Sequence, residues 1–294
     1  MYDVAIIGGG PAGLTAALQL GRARRTVLLL DAGEPRNTKA IEVHGFLTRD
    51  GTPPREMRRL AHEELARYRT VERRIEWVKR LEPKSDRVTL HIGCDTVDAR
   101  RVLLATGMVD EPPDLPGFRE LWGESIFQCP YCHGYEVQDQ PWGYWARLEP
   151  MIGSGFPQLL RAWTNDVVAF TGGAYPVSDE VRANLARAEI RLDERPLLGL
   201  RAEHGKLAAV QLDGGEVARS VLFAHPPQRQ TALVRETGIE LDDVGFVKLD
   251  AHNQTSVPRI HAAGDLTTFR QSAQIAAGSG NLAAAMLNHL LMNE

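Results

Sequence analysis

The residues of this sequence best suited to chemistry are two cysteines with two residues between them, in Cys129-Pro130-Tyr131-Cys132-His133-Gly134-Tyr135. Where a helix starts on such a pair, the helix N-terminus and a neighbouring cation stabilise a thiolate, and the pair can close into a small disulfide and reopen. The same letters also match a c-type haem attachment, Cys-x-x-Cys-His, and half of a zinc site. The surrounding chain has to arbitrate among the three.

Composition narrows the choice. The chain has 294 residues, 43% of them apolar and 24% charged, enough for one large or two medium globular domains. A net charge of −4 and a pI near 6.2 provide no general basic field, so nucleic acid is not an expected partner. No apolar run approaches the ~20 residues that span a bilayer, so no membrane association is expected. Met1-Tyr2-Asp3-Val4 has neither a basic leader nor a cleavable apolar core, and a cytoplasmic protein is the expectation. Of the three cysteines two form the Cys-x-x-Cys, a pattern that in a reducing compartment is more often catalytic than structural. Haem c, normally attached after export, is disfavoured there. Zinc is improbable because only Cys94 and scattered histidines could complete its shell, and Cys94 itself reads as structural, in an Ile-Gly-Cys-Asp turn.

The elements that must position the pair begin at the first residues. Val4-Ala5-Ile6-Ile7 is a buried parallel-strand run, followed by Gly8-Gly9-Gly10-Pro11-Ala12-Gly13 and a helix-like Leu14 to Leu20. Gly8, Gly10 and Gly13 fit G-x-G-x-x-G in its required strand-to-helix context. The first allows the tight turn, the second lets backbone approach a pyrophosphate, and the third lets the helix pack on the strand. A second strand, Thr26 to Leu30, ends at Asp31, 21 residues beyond Gly10 (31 − 10), where a ribose hydroxyl expects an acid. A carboxylate there repels a 2′-phosphate, so this site wants FAD or NAD. Residues 35–51 read as a loop with Arg36, Asn37 and His44 among its polar residues, and 53–68 as a charged amphipathic helix. Strands are predicted at 88–92 and 101–104, the second running into Ala105-Thr106-Gly107. Pro112 to Gly117 is the best linker. Beyond the cysteines come Pro141 to Met151, a helical-looking stretch through Ala162, a strand at 167–170, a helix at 177–188, and strands at 206–212 and 217–223. Pro226-Pro227 suggests a return linker, and a helix closes the chain from about Gln271 to Leu291.

The dinucleotide fingerprint, the Ala-Thr-Gly, the Cys-x-x-Cys in an inserted segment, and Ala262-Ala263-Gly264-Asp265 before Arg270-Gln271 and a closing helix together resemble the low-molecular-weight thioredoxin reductases over essentially the whole chain. That resemblance implies an α/β fold of two Rossmann-like domains, with a discontinuous FAD domain at 1–112 and 229–294 and a smaller inserted domain at 113–228 carrying the cysteines. It implies FAD as cofactor and a homodimer. Gly8, Gly10, Gly13 and Asp31 would hold the ADP half, Asp265 the ribityl or phosphate region, and the backbone around Arg270, Gln271 and Ser272 would face the isoalloxazine. It extends cofactor contact to Pro11, Ala12, Ala32, Arg36, Asn37, His44, Ala105, Thr106, Gly107 and Gly264. Cys132 would be the thiol beside the flavin, and Cys129 the one that attacks the substrate disulfide.

Two features depart from that pattern. His133 stands where the family more commonly has an acid. With an unperturbed pKa of about 6.5 it can take and return a proton near neutrality, and as an imidazolium it would lower a neighbouring thiol's pKa. The plainer reading is a histidine satisfying backbone groups at a turn. Second, the NADPH glycine loop expected about ten residues after the cysteines is replaced by Trp142-Gly143-Tyr144-Trp145-Ala146-Arg147-Leu148-Glu149. Side chains there occupy space where a pyrophosphate needs bare backbone, and Glu149 would repel it. The basic pair expected after Val167-Val168-Ala169-Phe170 is Thr171-Gly172. NADPH binding is therefore expected to be lost, with Trp142, Tyr144 and Trp145 either packing the vacated cleft as core or forming a stacking wall. The leading expectation is an FAD-dependent thiol/disulfide oxidoreductase that does not use NADPH. Cys-Pro-Tyr-Cys-His-Gly-Tyr leans toward the dithiol oxidases that this family resembles, which pass electrons from small dithiols to O2. A ferredoxin-linked reductase of a thioredoxin-like protein, a conventional NADPH-linked reductase, and a flavin-binding redox switch without turnover are the alternatives.

Overall fold

The computed structural model describes all residues, 1–294, and divides into two compact units. The first comprises Met1–Thr38, Phe46–Asp110 and Gln228–Glu294, the second Lys39–Gly45 and Glu111–Pro227. The short segment Lys39–Gly45 thus groups with the inserted part of the chain, where the sequence placed it with the first domain.

In the first unit a seven-stranded sheet runs Val71–Arg74, Val27–Leu30, Tyr2–Ile7, Asp95–Leu104, Val88–Ile92 and Val78–Pro83, with Ile260–Ala262 also paired to Asp95–Leu104. The strands around Tyr2–Ile7 are parallel, in the register Val4 to Val27 and Ile7 to Leu30. Both faces are covered, which is why these strands are continuous apolar runs rather than alternating ones. Ala5, Ile7, Leu28 and Leu30 enter one core; Val4, Ile6, Val27 and Leu29 enter the other, against the helices Pro11–Arg22 and Ala273–Met292. Ser272 caps the latter helix, its hydroxyl accepting the Ile275 N–H at 3.2 Å.

The second unit has a parallel five-stranded sheet in the order Arg191–Asp193, Val167–Phe170, Trp142–Trp145, Val221–Ala224, Ile126–Phe127. A three-stranded antiparallel sheet, Leu197–Glu203, Lys206–Leu212 and Gly215–Ala218, accompanies it. Two local expectations are corrected here, and two strands are added. The aromatic run is a central strand, and only Glu149–Ile152 and Phe156–Leu160 of the following stretch are helical. The strand read at 217–223 is two strands in different sheets, broken at Arg219-Ser220. In the first unit, Val71–Arg74 and Val78–Pro83 were not foreseen because their charged side chains hide the pairing pattern. Strand alternation sends Trp142 and Tyr144 into one core and Trp145 toward the other.

His261, fully buried in the first unit, shows how this interior fixes a protonation state. Its Nε2 lies 3.0 Å from Arg101 Nη1 and its Nδ1 3.2 Å from the His252 carbonyl. Only the neutral ring with its proton on Nδ1 satisfies both, because Arg101 can only donate. Burial, with Arg101 adding to it, pushes the pKa down to about 4. The unfolded ring takes a proton near pH 6.5 while the folded ring refuses it, so this contribution is intact above pH 6.5 and is lost as pH falls toward 4, by up to about 3 kcal/mol. We expect the thermal midpoint to fall across that interval and His261→Gln to make the fall shallower; an unchanged slope in the variant would contradict this assignment.

Candidate flavin and disulfide sites

The carboxyl ends of the first unit's parallel strands converge on one place. Gly8 N–H donates to the Leu30 carbonyl at 2.8 Å, Ala105 N–H to that of Ile7 at 2.8 Å, and Ala263 N–H to that of Leu104 at 2.9 Å. These bonds bring Gly8 to Gly13, Asp31 and Ala32, Ala105 to Gly107, and Gly264 and Asp265 to adjacent strand ends, where open α/β sheets bind ligands. The helix Pro11–Arg22 opens there on Gly10, with Pro11 at its first position, no side-chain cap and no acid in its first turn. Its leading N–H groups and positive dipole end are thus available to an anion.

The three glycines have different causes. Gly8 has φ of +113°, and a Cβ on it would meet the Ala105 oxygen at 2.2 Å; a Cβ on Gly13 would meet the Gly8 oxygen at 1.9 Å. The protein's own packing demands both. Gly10 has φ of −78° and nothing within 4 Å of a Cβ, so neither strain nor packing requires its bareness. Its open backbone suits the close approach of a pyrophosphate. The hydroxyl of Thr106 is also buried without a partner beside this loop. The site therefore fits the phosphates of a dinucleotide.

Asp31 lies at the expected strand end, its carboxylate ion-paired with Arg58 and accepting the Gly33 N–H at 3.2 Å. Arg58 is a partner that local patterning did not single out. At the other end of the site Arg36 forms a fork on Asp110, with both bonds at 2.7 Å, and also reaches Asp265 at 2.8 Å and the Gln271 side-chain oxygen at 2.6 Å. Gln228 donates to Asp110 at 2.9 Å and exchanges amide bonds with Gln271. Burial raises the pKa of Asp265 and Asp110 adds to the effect, while Arg36 opposes both. Asp110 and Gln228 carry no motif; the antiparallel pairing of Val109–Asp110 with Gln228–Arg229 brings them there. Arg270 lies over the Phe269 ring at 5.3 Å, and Asn37 sits in the turn after Arg36.

In the second unit Cys129 and Cys132 are joined by a disulfide, with their Cα atoms 5.3 Å apart. Cys129 is the N-cap of the helix Pro130–His133, and the Cys132 N–H donates to the Cys129 carbonyl at 3.2 Å. Four residues make a weak dipole, so the helix contributes less to a thiolate than the sequence suggested. His133 stacks on Phe127, centroids 4.5 Å apart and planes 10° apart, and its Nδ1 is buried without a partner. Burial and then His44 push its pKa down to about 4. Burial thus favours the neutral ring of His133 over the imidazolium. His44 groups with this unit, between Glu42 at 3.4 Å and Glu136 at 3.5 Å.

The carboxyl ends of the second sheet are filled. Tyr144, only 1% exposed, packs on Phe156 at 4.8 Å, and Phe156 on His225 at 4.8 Å. Tyr175 OH donates to the Ala146 carbonyl at 2.8 Å. The helix after the central strand has four residues, with Glu149 at its first position.

The model of the pyridine nucleotide-disulphide oxidoreductase family matches residues 2–280. A curated relative described as thioredoxin reductase tcpT of Claviceps purpurea is 31% identical over 99% of this chain and 95% of its own. Among solved structures, HlmI is 37% identical with a TM-score of 0.91, covering 99% of this chain and 93% of its own. A putative thioredoxin reductase TrxB of Bacillus anthracis is 34% identical with a TM-score of 0.92, covering 100% and 99%.

The differing causes of the glycines separate two variants. Gly10→Ala is expected to fold within about 1 kcal/mol of the parent yet to purify with little FAD. Gly13→Ala should lose about 2 kcal/mol or more through backbone overlap. A Gly10→Ala protein carrying FAD at the parent's stoichiometry would remove the phosphate assignment.

Proposed function

This chain belongs to the pyridine nucleotide-disulphide oxidoreductase family, as a thioredoxin reductase-like, FAD-binding oxidoreductase, and on that premise we propose that it exchanges thiols and disulfides at Cys129–Cys132 without using NADPH. The observation that carries the second part is the crevice of the second sheet. A nucleotide-binding βαβ unit presents a glycine turn and a long helix whose first N–H groups face the phosphates. This chain has instead a four-residue helix led by a carboxylate, with Tyr144, Phe156 and His225 packed over the strand ends. A side chain and a like charge both oppose a pyrophosphate there.

The first unit supplies the cofactor's residues as described: Gly10 and the helix N-terminus for the phosphates, Asp31 for the ribose, and Asp265 with Gln271 and Ser272 toward the flavin end. FAD, when bound, supplies two-electron exchange with the thiol pair. Cys129 attacks or is attacked by the substrate sulfur and Cys132 communicates with the cofactor, as the resemblance implies. Tyr131 and Tyr135 are 71% and 72% exposed beside the pair, which suits an apolar or aromatic dithiol. Electrons would enter from such a dithiol and leave through FAD to oxygen. A second reading, reduction of a thioredoxin-like protein by a reduced ferredoxin-like donor, is favoured by the relatives described as thioredoxin reductases.

The holoprotein tests both. Under anaerobic conditions dithiothreitol should bleach the flavin, NADPH should not, and readmitted oxygen should restore the colour. Cys132→Ser should keep FAD and stop the bleaching by dithiothreitol. Rapid stoichiometric bleaching by NADPH would overturn the NADPH-independent reading, and bleaching by reduced ferredoxin alone would select the second.

A further inference from the structure

A helix of one turn cannot hold its own shape in water, so the geometry of the Cys129–Cys132 pair is set by what packs against Pro130–His133. One anchor is Phe127, on which the His133 ring stacks at 4.5 Å. The other is Trp163, which belongs to no motif and lies 31 residues beyond Cys132 (163 − 132). Its indole meets the ring of Tyr131, the residue before Cys132 inside the pair, with centroids 5.3 Å apart and planes at 86°. A Cβ on Gly134 would meet the same indole at 3.1 Å and the Pro130 carbonyl oxygen at 2.5 Å, so the chain leaving Cys132 runs directly against Trp163.

The backbone repeats the attachment. The Asp139 N–H donates to the Trp163 carbonyl at 3.0 Å, the Thr164 hydroxyl to the Gln140 carbonyl at 2.7 Å, and Trp142 Nε1 to the Val137 carbonyl at 2.8 Å. Trp163 in turn stacks on Trp142 with centroids 6.4 Å apart, and Trp142, fully buried, packs on Phe223 at 4.8 Å. A line of rings thus joins Tyr131, 71% exposed, to the core of the second unit. None of these contacts uses a sulfur atom, so all of them are available whether the S–S bond is closed or open.

We propose that Trp163 is a positioning residue: by holding Tyr131 and Gly134 it keeps Cys129 and Cys132 at closing distance in the dithiol state, and so sets the dithiol–disulfide equilibrium of the pair. This rests on the thiol/disulfide exchange proposed above. The Cα separation of 5.3 Å lies inside the roughly 4.4–6.8 Å that a disulfide accepts. Two groups held at such a separation react at a high effective concentration, and freeing either one lowers it. Without the indole the one-turn helix keeps only the Phe127 anchor, and the open pair spends more time at separations from which no bond can form. The exchange itself balances: a substrate dithiol gives up two electrons and two protons as its two S–H bonds become one S–S bond. The Cys129–Cys132 bond breaks, and its sulfurs take up those electrons and protons as two thiols. Loosening the pair disfavours the reverse step, in which the protein's disulfide closes.

The test reads the cysteines directly. Holoprotein is equilibrated anaerobically in dithiothreitol buffers of graded reduced-to-oxidised ratio, alkylated with iodoacetamide and weighed. Cys94, exposed and free, labels in both states, so the dithiol form carries two further labels. Trp163→Ala should move the equilibrium toward the dithiol by about 10-fold, or about 30 mV for a two-electron couple, and Trp163→Phe should restore most of that shift. Tyr131→Ala, at an exposed position, should move it the same way by about 3- to 10-fold. Leu200→Ala opens a cavity in the other core of the unit and should lower the thermal midpoint while leaving the redox midpoint at the parent's. A Trp163→Ala protein with the parent's redox midpoint would overturn the proposal, as would an equal shift in Leu200→Ala, which would make the effect one of general stability. If Trp163→Ala does not fold, Tyr131→Ala decides alone, and the parent's midpoint there overturns the proposal. If the parent exchanges with dithiothreitol at no ratio, the exchange reading fails and the positioning role with it; if the parent exchanges and the variants match it, only the positioning role fails.

Discussion

A helix packed against the end of a parallel strand with no side chain between them is the constraint on which the first unit depends. The separation available between Gly13 and the Gly8 carbonyl leaves no room for a Cβ. That approach allows the helix Pro11–Arg22 to start at the sheet edge and aim its uncapped N–H groups past Gly10. The neighbouring strand ends then deliver Asp31, Thr106 and Asp265 to the same edge through three backbone hydrogen bonds. Without the close approach, the helix would be displaced outward and its dipole would end over no site.

The second unit shows what happens when the same topology loses that constraint. Its central strand Trp142–Trp145 lies between parallel neighbours, as the first strand of a nucleotide-binding unit does. Trp142 and Tyr144 face the core and the chain turns through Arg147 and Leu148 into a helix of one turn. Large side chains at the strand ends fill the volume that bare backbone leaves for phosphates in the other unit. Trp142 and Tyr144 are buried in this core, and each fully buried large apolar side chain contributes about 1.5–3 kcal/mol to the fold.

Charge is handled by enclosure. Arg36 is divided among Asp110, Asp265 and Gln271, and its positive charge offsets part of the cost of holding Asp265 away from water. Three further arginines, Arg100, Arg101 and Arg259, converge on Glu294. Histidines in low-dielectric surroundings go the other way and remain neutral, as His133, His225 and His261 do, all pushed down to about 4.

Local spacing made much of this legible. The run Val4 to Gly13 identifies strand, turn and helix because apolar periodicity and glycine placement are properties of a few consecutive residues. The same is true of Asp31, of the cysteine pair, and of the substituted loop at Trp142 to Glu149. Charged edge strands such as Val71–Arg74 escaped because their apolar signal is one residue long. The spacing already gives Gly8, Gly10 and Gly13 different expected roles, and the folded chain shows that its own packing excludes a Cβ at Gly8 and Gly13 but not at Gly10. By itself, then, the sequence determined the fold class, the cofactor type and the spacing of the two cysteines that pair. Tertiary structure alone decided the protonation of His133, the grouping of His44 with Glu136, and the network joining Arg36 to Asp265 across 229 residues. The reason is physical: conformational preference is set by covalent neighbours, whereas burial and charge depend on neighbours in space, however far apart they are in the chain.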